Sequence, residues 1–296
     1  MFQAYAKLGR VIRLDAATVL LQWATGGLLF LWVTTRRREV GIGYGWLLRI
    51  VYALLALGAA GAGLLLDAVP VRDAASLGVV AAAGVALGVS IVRRKAGVAG
   101  ERARKERKAA RVAAMTGAPA AASHVGAAAG AVREFPPALD LVAPLIGLVG
   151  LVAAGIAAGG PHLLAVARTL AGALFLGAVS DAMLLGHWYL VQPGLGRGSL
   201  LELNRWLALT WPLEVALLLW PTGMLSVLSG SVDDGWDGTL GWFWVACAVA
   251  TLVLTFVTQA ALKEKAYSAV MAATGLLYLA ILTAFGTDLV ARAILA

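Results

Sequence analysis

Long apolar runs dominate the chain, at 16–35, 44–66, 74–92, 138–158, 163–190, 200–228, 239–260 and 267–287. Crossing a hydrocarbon core of about 30 Å takes roughly 20 residues of α-helix, so each run is long enough to span a bilayer. None shows the alternation of a barrel strand. In lipid every backbone N–H and C=O must be satisfied within the segment, which leaves helices. The expected fold is all-α, a polytopic transmembrane helix bundle of about eight spans. Composition agrees, with 61% hydrophobic and only 14% charged residues, a balance that soluble domains do not have.

The first run follows Lys7, Arg10 and Arg13 as the core of a signal peptide would. It is too long for one, and Thr34 to Glu39 makes a poor cleavage site, so it reads as a retained span. Residues 1–15 form an N-terminal segment in which Phe2, Tyr5, Leu8 and Ile12 mark a short amphipathic helix on the bilayer surface. Were the first run itself interfacial, the count would be seven.

Basic residues alternate between loops. Arg36, Arg37 and Arg38 follow the first run, a Lys/Arg-rich stretch covers 93–111, Arg197 follows the fifth run, and Lys263 and Lys265 follow the seventh. The intervening loops carry Asp67, Arg72 and Asp73, then almost no charge, then Asp233, Asp234 and Asp237. Because Lys and Arg collect on the cytoplasmic side, the basic loops are expected there, in a multi-pass protein of the cell (inner) membrane. The outward placement of Lys7, Arg10 and Arg13 runs against this topology. The chain then divides into the segment 1–15, spans one to three at 16–92, a basic cytoplasmic loop and Ala/Gly/Pro-rich linker at 93–137, and spans four to eight at 138–296.

The basic half of that loop, 93–111, is expected to rest on anionic lipid headgroups rather than on nucleic acid. His124, in the Ala-rich half, reads as a solvated linker residue. A short internal echo, Gly41 to Arg49 against Gly194 to Glu202, follows a basic loop each time. It points to two four-helix halves in parallel orientation, with Arg49 and Glu202 at equivalent positions.

The familiar chemistries find few residues. The chain has three histidines and one cysteine. A bis-histidine haem would need His162 and His187, which lie on one run about 37 Å apart at 1.5 Å per residue, so haem is disfavoured. The first hairpin, Leu21-Gln-Trp-Ala-Thr-Gly-Gly-Leu-Leu-Phe30 with Gly45-Trp-Leu-Leu-Arg49, resembles the start of copper-resistance and cytochrome b561-like membrane domains. Those families tend to carry a histidine where Gln22 stands, so the resemblance implies no metal or haem ligand here. No metal-ligand spacing, nucleophile elbow or Asp-rich phosphate motif is present. The acidic loop reads as solvated, with Ca²⁺ contact as the alternative. Cys247 reads as an apolar filler, and the chain is not expected to be a self-contained enzyme.

Charge inside a span costs roughly 2.5 to 3.5 kcal/mol on insertion scales, so each instance needs a reason. The instances are Arg49, Asp140, Arg168, Asp181, Glu202, Arg205, Glu214, Asp288 and Arg292. Arg49, His187, Trp188, Tyr189, Glu202, Arg205 and Trp206 fall at one depth, an inner-border layer able to hold a ligand. Asp181 and Glu214 fall deeper and read as proton or ion sites. Pro212 and Pro221 are expected to kink the sixth run beside Glu214. Gly84-x-x-x-Gly88, Gly155-x-x-x-Gly159 and Gly58, Gly61 and Gly63 mark seams of close helix packing.

Three functions follow. The first is an accessory or quinone-interacting subunit of a respiratory or electron-transfer complex, with other membrane subunits as partners. There His187, Tyr189 or Arg205 would bond the quinone and Trp188 and Trp206 would pack on its ring. The second is a transporter or channel for a small solute or lipid, using the buried acids. The third is a lipid-modifying membrane enzyme.

Overall fold

A computed structural model describes residues 15–116, 133–192, 194–221 and 223–295. The amphipathic segment with Lys7, Arg10 and Arg13, and His124 in its linker, lie outside the described residues. Within them the chain is helical, with no strand. The helices are α1 Ala16–Thr35, α2 Ile42–Leu65, α3 Pro70–Val92, α4 Ala99–Thr116, α5 Val142–Ala157, α6 His162–Val191, α7 Gly198–Leu219, α8 Gly223–Leu228, α9 Thr239–Lys263 and α10 Tyr267–Leu295. A 3-10 turn, Pro137–Leu141, leads into α5.

Seven helices are long and apolar enough to cross a membrane: α1, α2, α3, α5 with its leading turn, α6, α9 and α10. The remaining expected span, 200–228, is divided. Its first part is α7, which carries Glu202, Arg205 and Glu214, and the break to α8 falls at Trp220 and Pro221. The helix runs on through Pro212 without a break. Pro221 supplies the reason for the break, since it has no N–H to give to the carbonyl four residues back.

Helix packing forms two rings of four. In one, α1, α2, α3 and α5 contact each other in turn; in the other, α6, α7, α9 and α10 do, and α6 packs on α1 and α5 to join them. Glycine decides that junction. A Cβ at Gly26 would sit 1.8 Å from the Ala173 carbonyl oxygen, and one at Gly177 would sit 2.2 Å from the carbonyl carbon of Gly26. The two backbones therefore touch, as small residues allow in lipid.

The seams named from spacing behave otherwise. Gly61, Gly84 and Gly88 have open space where a Cβ would be, while Gly63 makes room for Arg72 and Asp73 and Gly155 for Val166. Spacing marks a small-residue stripe, but helix rotation decides whether it meets a neighbour. Large apolar side chains such as Leu54, Leu65, Leu163, Leu209 and Leu282 face outward. A surface of that kind needs lipid around it.

All four basic segments gather at one end of the bundle. Arg36 and Arg37 pair with Glu202, the Arg38 carbonyl accepts from Gly100 N at 2.9 Å, and Arg197 bonds the carbonyls of Leu262, Glu264, Lys265 and Ala266 between α9 and α10. The opposite end holds Asp15, Asp67, Arg72 and Asp73 and the acidic turn. In that turn Asp234 accepts backbone N–H bonds from Trp236, Gly238, Leu240 and Gly241, capping the start of α9. Desolvation pushes the Asp234 carboxyl up, but the backbone donors outweigh it and hold the group below its ordinary range.

Candidate functional site: ionisable groups inside the bundle

Near the basic end, Arg49 of α2 meets Asp140 in the turn before α5. Nε and Nη2 donate to the two carboxylate oxygens at 2.8 Å each. The Thr35 hydroxyl adds a third bond to Asp140 at 2.9 Å, and the guanidinium stacks 4.4 Å from the centre of the Phe135 ring. Both side chains are almost fully buried. With fork and carboxylate matched, this pair is saturated, as a buried ion pair must be to hold.

Deeper, Asp181 of α6 accepts from the Tyr52 hydroxyl of α2 through Oδ1, while its Oδ2 is buried without a partner. The Tyr44 hydroxyl reaches the Asp181 backbone carbonyl at 3.5 Å. Tyr52 can lie there because Gly27 has no Cβ; one would fall 2.0 Å from the ring. Beside it, Trp23 Nε1 donates to Ser180 Oγ at 2.8 Å.

The largest polar assembly lies in the half away from the basic end. Arg292 Nε donates to both oxygens of Asp288, one turn earlier on α10, at 2.9 Å. Arg168 of α6 donates to the carbonyls of Leu217 and Trp220 at 2.7 Å each. Leu217 is the residue whose helical partner would be Pro221, so Arg168 satisfies the carbonyl that the proline leaves open. Glu214 of α7 completes the group, close enough to interact electrostatically with Asp288, Arg292 and Arg168.

Glu214 is fully buried, and no N–H or hydroxyl donor reaches its carboxylate oxygens; its side-chain hydrogen-bond neighbour is the Asp288 carboxyl, with which it can bond only by sharing a proton. Gln22 of α1 reaches the same place. Its Nε2 donates to the Thr169 carbonyl at 2.7 Å and its Oε1 is unpartnered. Gly172 is the hub: a Cβ there would lie within 2.8 Å of Asp288 Oδ1, Gln22 Nε2 and Arg292 Nη2 together. A narrow cleft lined by Asp15, Asp67, Arg168, Thr169 and Arg292 opens at the adjoining end, with about 30 Å³ of room. At roughly 10–15 Å³ per water, it admits about two or three waters and no larger solute.

The inner-border residues disperse. Glu202 takes bonds from Arg36 and Arg37, not from Arg205 one turn along its own helix. Arg205 and Trp206 face outward into a groove with Arg37, Gly198, Leu201, Glu202 and Leu209. His187 is exposed and its Nδ1 lies 3.1 Å from the Tyr278 hydroxyl. Trp188 Nε1 donates to Gln192 at 2.9 Å, and Tyr189 donates to the Gly196 carbonyl. Arg49 belongs to the Asp140 pair. The structure thus unites Glu202, Arg205 and Trp206, and leaves His187, Trp188 and Tyr189 in contacts of their own.

Tyr52 and Gln22 enter the interior sites although nothing in their local sequence marks them. Arg168, Asp288 and Arg292 stand out as charges within spans, and the Asp288–Arg292 spacing of four is legible as a helical pair. Their meeting with Glu214 has no sequence signature. Among the described residues, no three His, Cys, Asp or Glu side chains form a group able to hold a metal ion. No known family model, curated protein or solved structure matches the chain.

Proposed function

We propose that the chain is a proton-translocating protein of the cell membrane, with Glu214 as the carboxyl that takes up and releases the proton. The observation that carries this reading is Glu214 itself, fully buried, with no N–H or hydroxyl donor on either oxygen and the Asp288 carboxyl as its side-chain hydrogen-bond neighbour, a contact that two carboxyls can make only by sharing a proton. An ionisable group inside a membrane bundle is costly and calls for a partner or a use. Asp288 already has a matched guanidinium in Arg292, so Glu214 is the group left over.

Counting about 1.5 Å per residue from the basic end of each helix, Asp181 lies about 15 Å in, Gln22 about 20 Å and Glu214 about 24 Å. The cleft at Arg168 and Arg292 gives water an approach from the far end, and Asp181 with Tyr52 is the second proton-bearing group toward the basic end. Under the positive-inside preference the basic loop 93–137 faces the cytoplasm and Glu214 is loaded from outside. The basic helix α4 then lies along the cytoplasmic headgroups. A quinone site at the basic border draws on fewer observations: Arg205 and Trp206 share a groove, but His187 faces outward against Tyr278.

The test is reconstitution into liposomes loaded with a pH-sensitive dye, with a potassium diffusion potential imposed. Wild-type protein should carry protons inward, and Glu214→Gln should slow this by about 10²-fold or more, the range over which a positioned proton-transfer group acts. An infrared band of a protonated carboxyl that titrates with pH should vanish in the same variant. Equal flux from wild type and variant would remove Glu214 from the mechanism, and no wild-type flux would remove the reading itself.

A further inference from the structure

We infer that the groove between the end of α1 and the first turns of α7 is a binding site for one anionic phospholipid. The lining is Arg37, Gly198, Leu201, Glu202, Arg205, Trp206 and Leu209, around about 380 Å³ of room. It lies on the outward face of the bundle at the basic end, separate from both interior acids and from α4.

Charge selects the headgroup. The Glu202 carboxylate is clamped by Arg36 and by Arg37, whose Nε lies 2.5 Å from Oε2. That clamp cancels one positive charge and fixes where the two guanidinium groups point. Arg36 is held further by its stack 5.1 Å from the centre of the Trp32 ring. Arg205 is exposed and no described side chain pairs with it. Arg36, Arg37 and Arg205 against Glu202 leave the groove net positive. The start of α7 adds to this, because Gly198 at its first position lines the groove, no side chain caps the turn, and a helix N-terminus carries partial positive charge. A phosphodiester matches this arrangement, with guanidinium donors disposed around one anion.

Below the charges the groove becomes apolar. Leu201, Arg205, Leu209 and Leu213 follow each other at helical spacing on one face of α7. Leu209 is 65% exposed and Leu213 46%, with Trp206 alongside at 39%. Trp206 is held edge-on to Phe30 with ring centres 5.9 Å apart, so it forms a fixed wall. An acyl chain descending from a phosphate at Arg205 runs along this face toward the bilayer centre. A free phosphate would use the arginines and leave the apolar wall uncovered; a zwitterionic lipid would cover the wall and gain nothing from the net charge.

The test uses purified protein in mild detergent, titrated with phosphatidylglycerol, with phosphatidylcholine, or with inorganic phosphate, and read by native mass spectrometry. Phosphatidylglycerol adducts should exceed the other two, and Arg205→Gln should weaken them about five-fold, the effect of one basic side chain near an anionic lipid. Arg37→Gln should act in the same direction. A second reading does not depend on either substitution: phosphatidylglycerol with brominated chains should quench tryptophan emission in wild type more than in Trp206→Phe, and more than brominated phosphatidylcholine does. Equal quenching by the two lipids, equal adducts in wild type and Arg205→Gln, or phosphate binding as tightly as the lipid would each overturn the site.

Discussion

Two of the groups of buried ions in this bundle are built differently. At the basic end Arg49 and Asp140 satisfy each other atom for atom, with Thr35 closing the third bond. In the other half, Arg168, Asp288 and Arg292 find partners among carbonyls and one another, while Glu214 takes no N–H or hydroxyl donor and meets the Asp288 carboxyl. A matched pair is a clamp that resists change, since removing either half strands the other in low dielectric. An unmatched carboxyl sheds that cost by binding a proton, and so can alternate between states. Burial alone therefore does not separate the two; what does is whether a carboxylate has a cation and donors of its own.

The clamp should show the largest effect on stability. Asp140→Ala leaves Arg49 buried without its carboxylate and should cost about 3–5 kcal/mol in detergent unfolding. Replacing both partners, as Arg49→Met with Asp140→Leu, should recover most of that loss. If the single and double variants unfold alike, the pair is not the clamp described.

Asp181 sits between the two extremes, with one oxygen bonded and one not. Tyr52→Phe removes the bonded donor and should cost about 1–3 kcal/mol. A variant as stable as wild type would show that Asp181 carries its own proton and needs no donor, which moves it toward the Glu214 kind.

Outside the membrane, Asp234 offers a control with solvent access. Its folded-state pKa is depressed, so the stability it contributes is present above the unfolded value of about 3.9 and is lost as pH falls through the folded value. Asp234→Ala should lower the thermal midpoint modestly at neutral pH, and the difference from wild type should shrink on acidification below that range. A gap that stays constant with pH would mean that the capping bonds do not hold the carboxylate form.

Glu214→Gln should change stability least. Its carboxyl accepts from no N–H or hydroxyl donor, and a Gln amide can still donate to the Asp288 carboxylate beside it, so the variant should unfold at or slightly above the wild-type temperature while proton flux collapses. Large destabilisation by this substitution would place Glu214 with the clamp and dissolve the contrast between the two groups.

Much of the architecture was legible along the chain. Apolar runs of membrane length announce the spans because lipid forbids any other way to satisfy the backbone, and α1 to α3, α6, α9 and α10 fall on them. Alternating basic loops are legible as well, and the structure gathers Arg36 to Arg38, Arg93 to Arg111, Arg197 and Lys263 to one end. Charges within spans identify themselves by their cost, which singled out Arg49, Asp140, Asp181 and Glu214 from the sequence.

What the sequence could not contain is how each helix is turned about its axis. That rotation pairs Glu202 with Arg36 and Arg37 and not with Arg205, opens Gly84 and Gly88 to the outside, and brings Gly26 against Gly177. It also brings Arg168, Glu214 and Asp288, from three helices far apart in the chain, within electrostatic reach of one another, with Asp288 beside Gly172. Hydropathy is a property of residues taken one by one, and the sequence by itself therefore determined that this is a helical membrane protein. Which polar atoms are met and which are left over depends on contacts between helices, so only the tertiary structure decided which buried acid is paired with a cation and which is not.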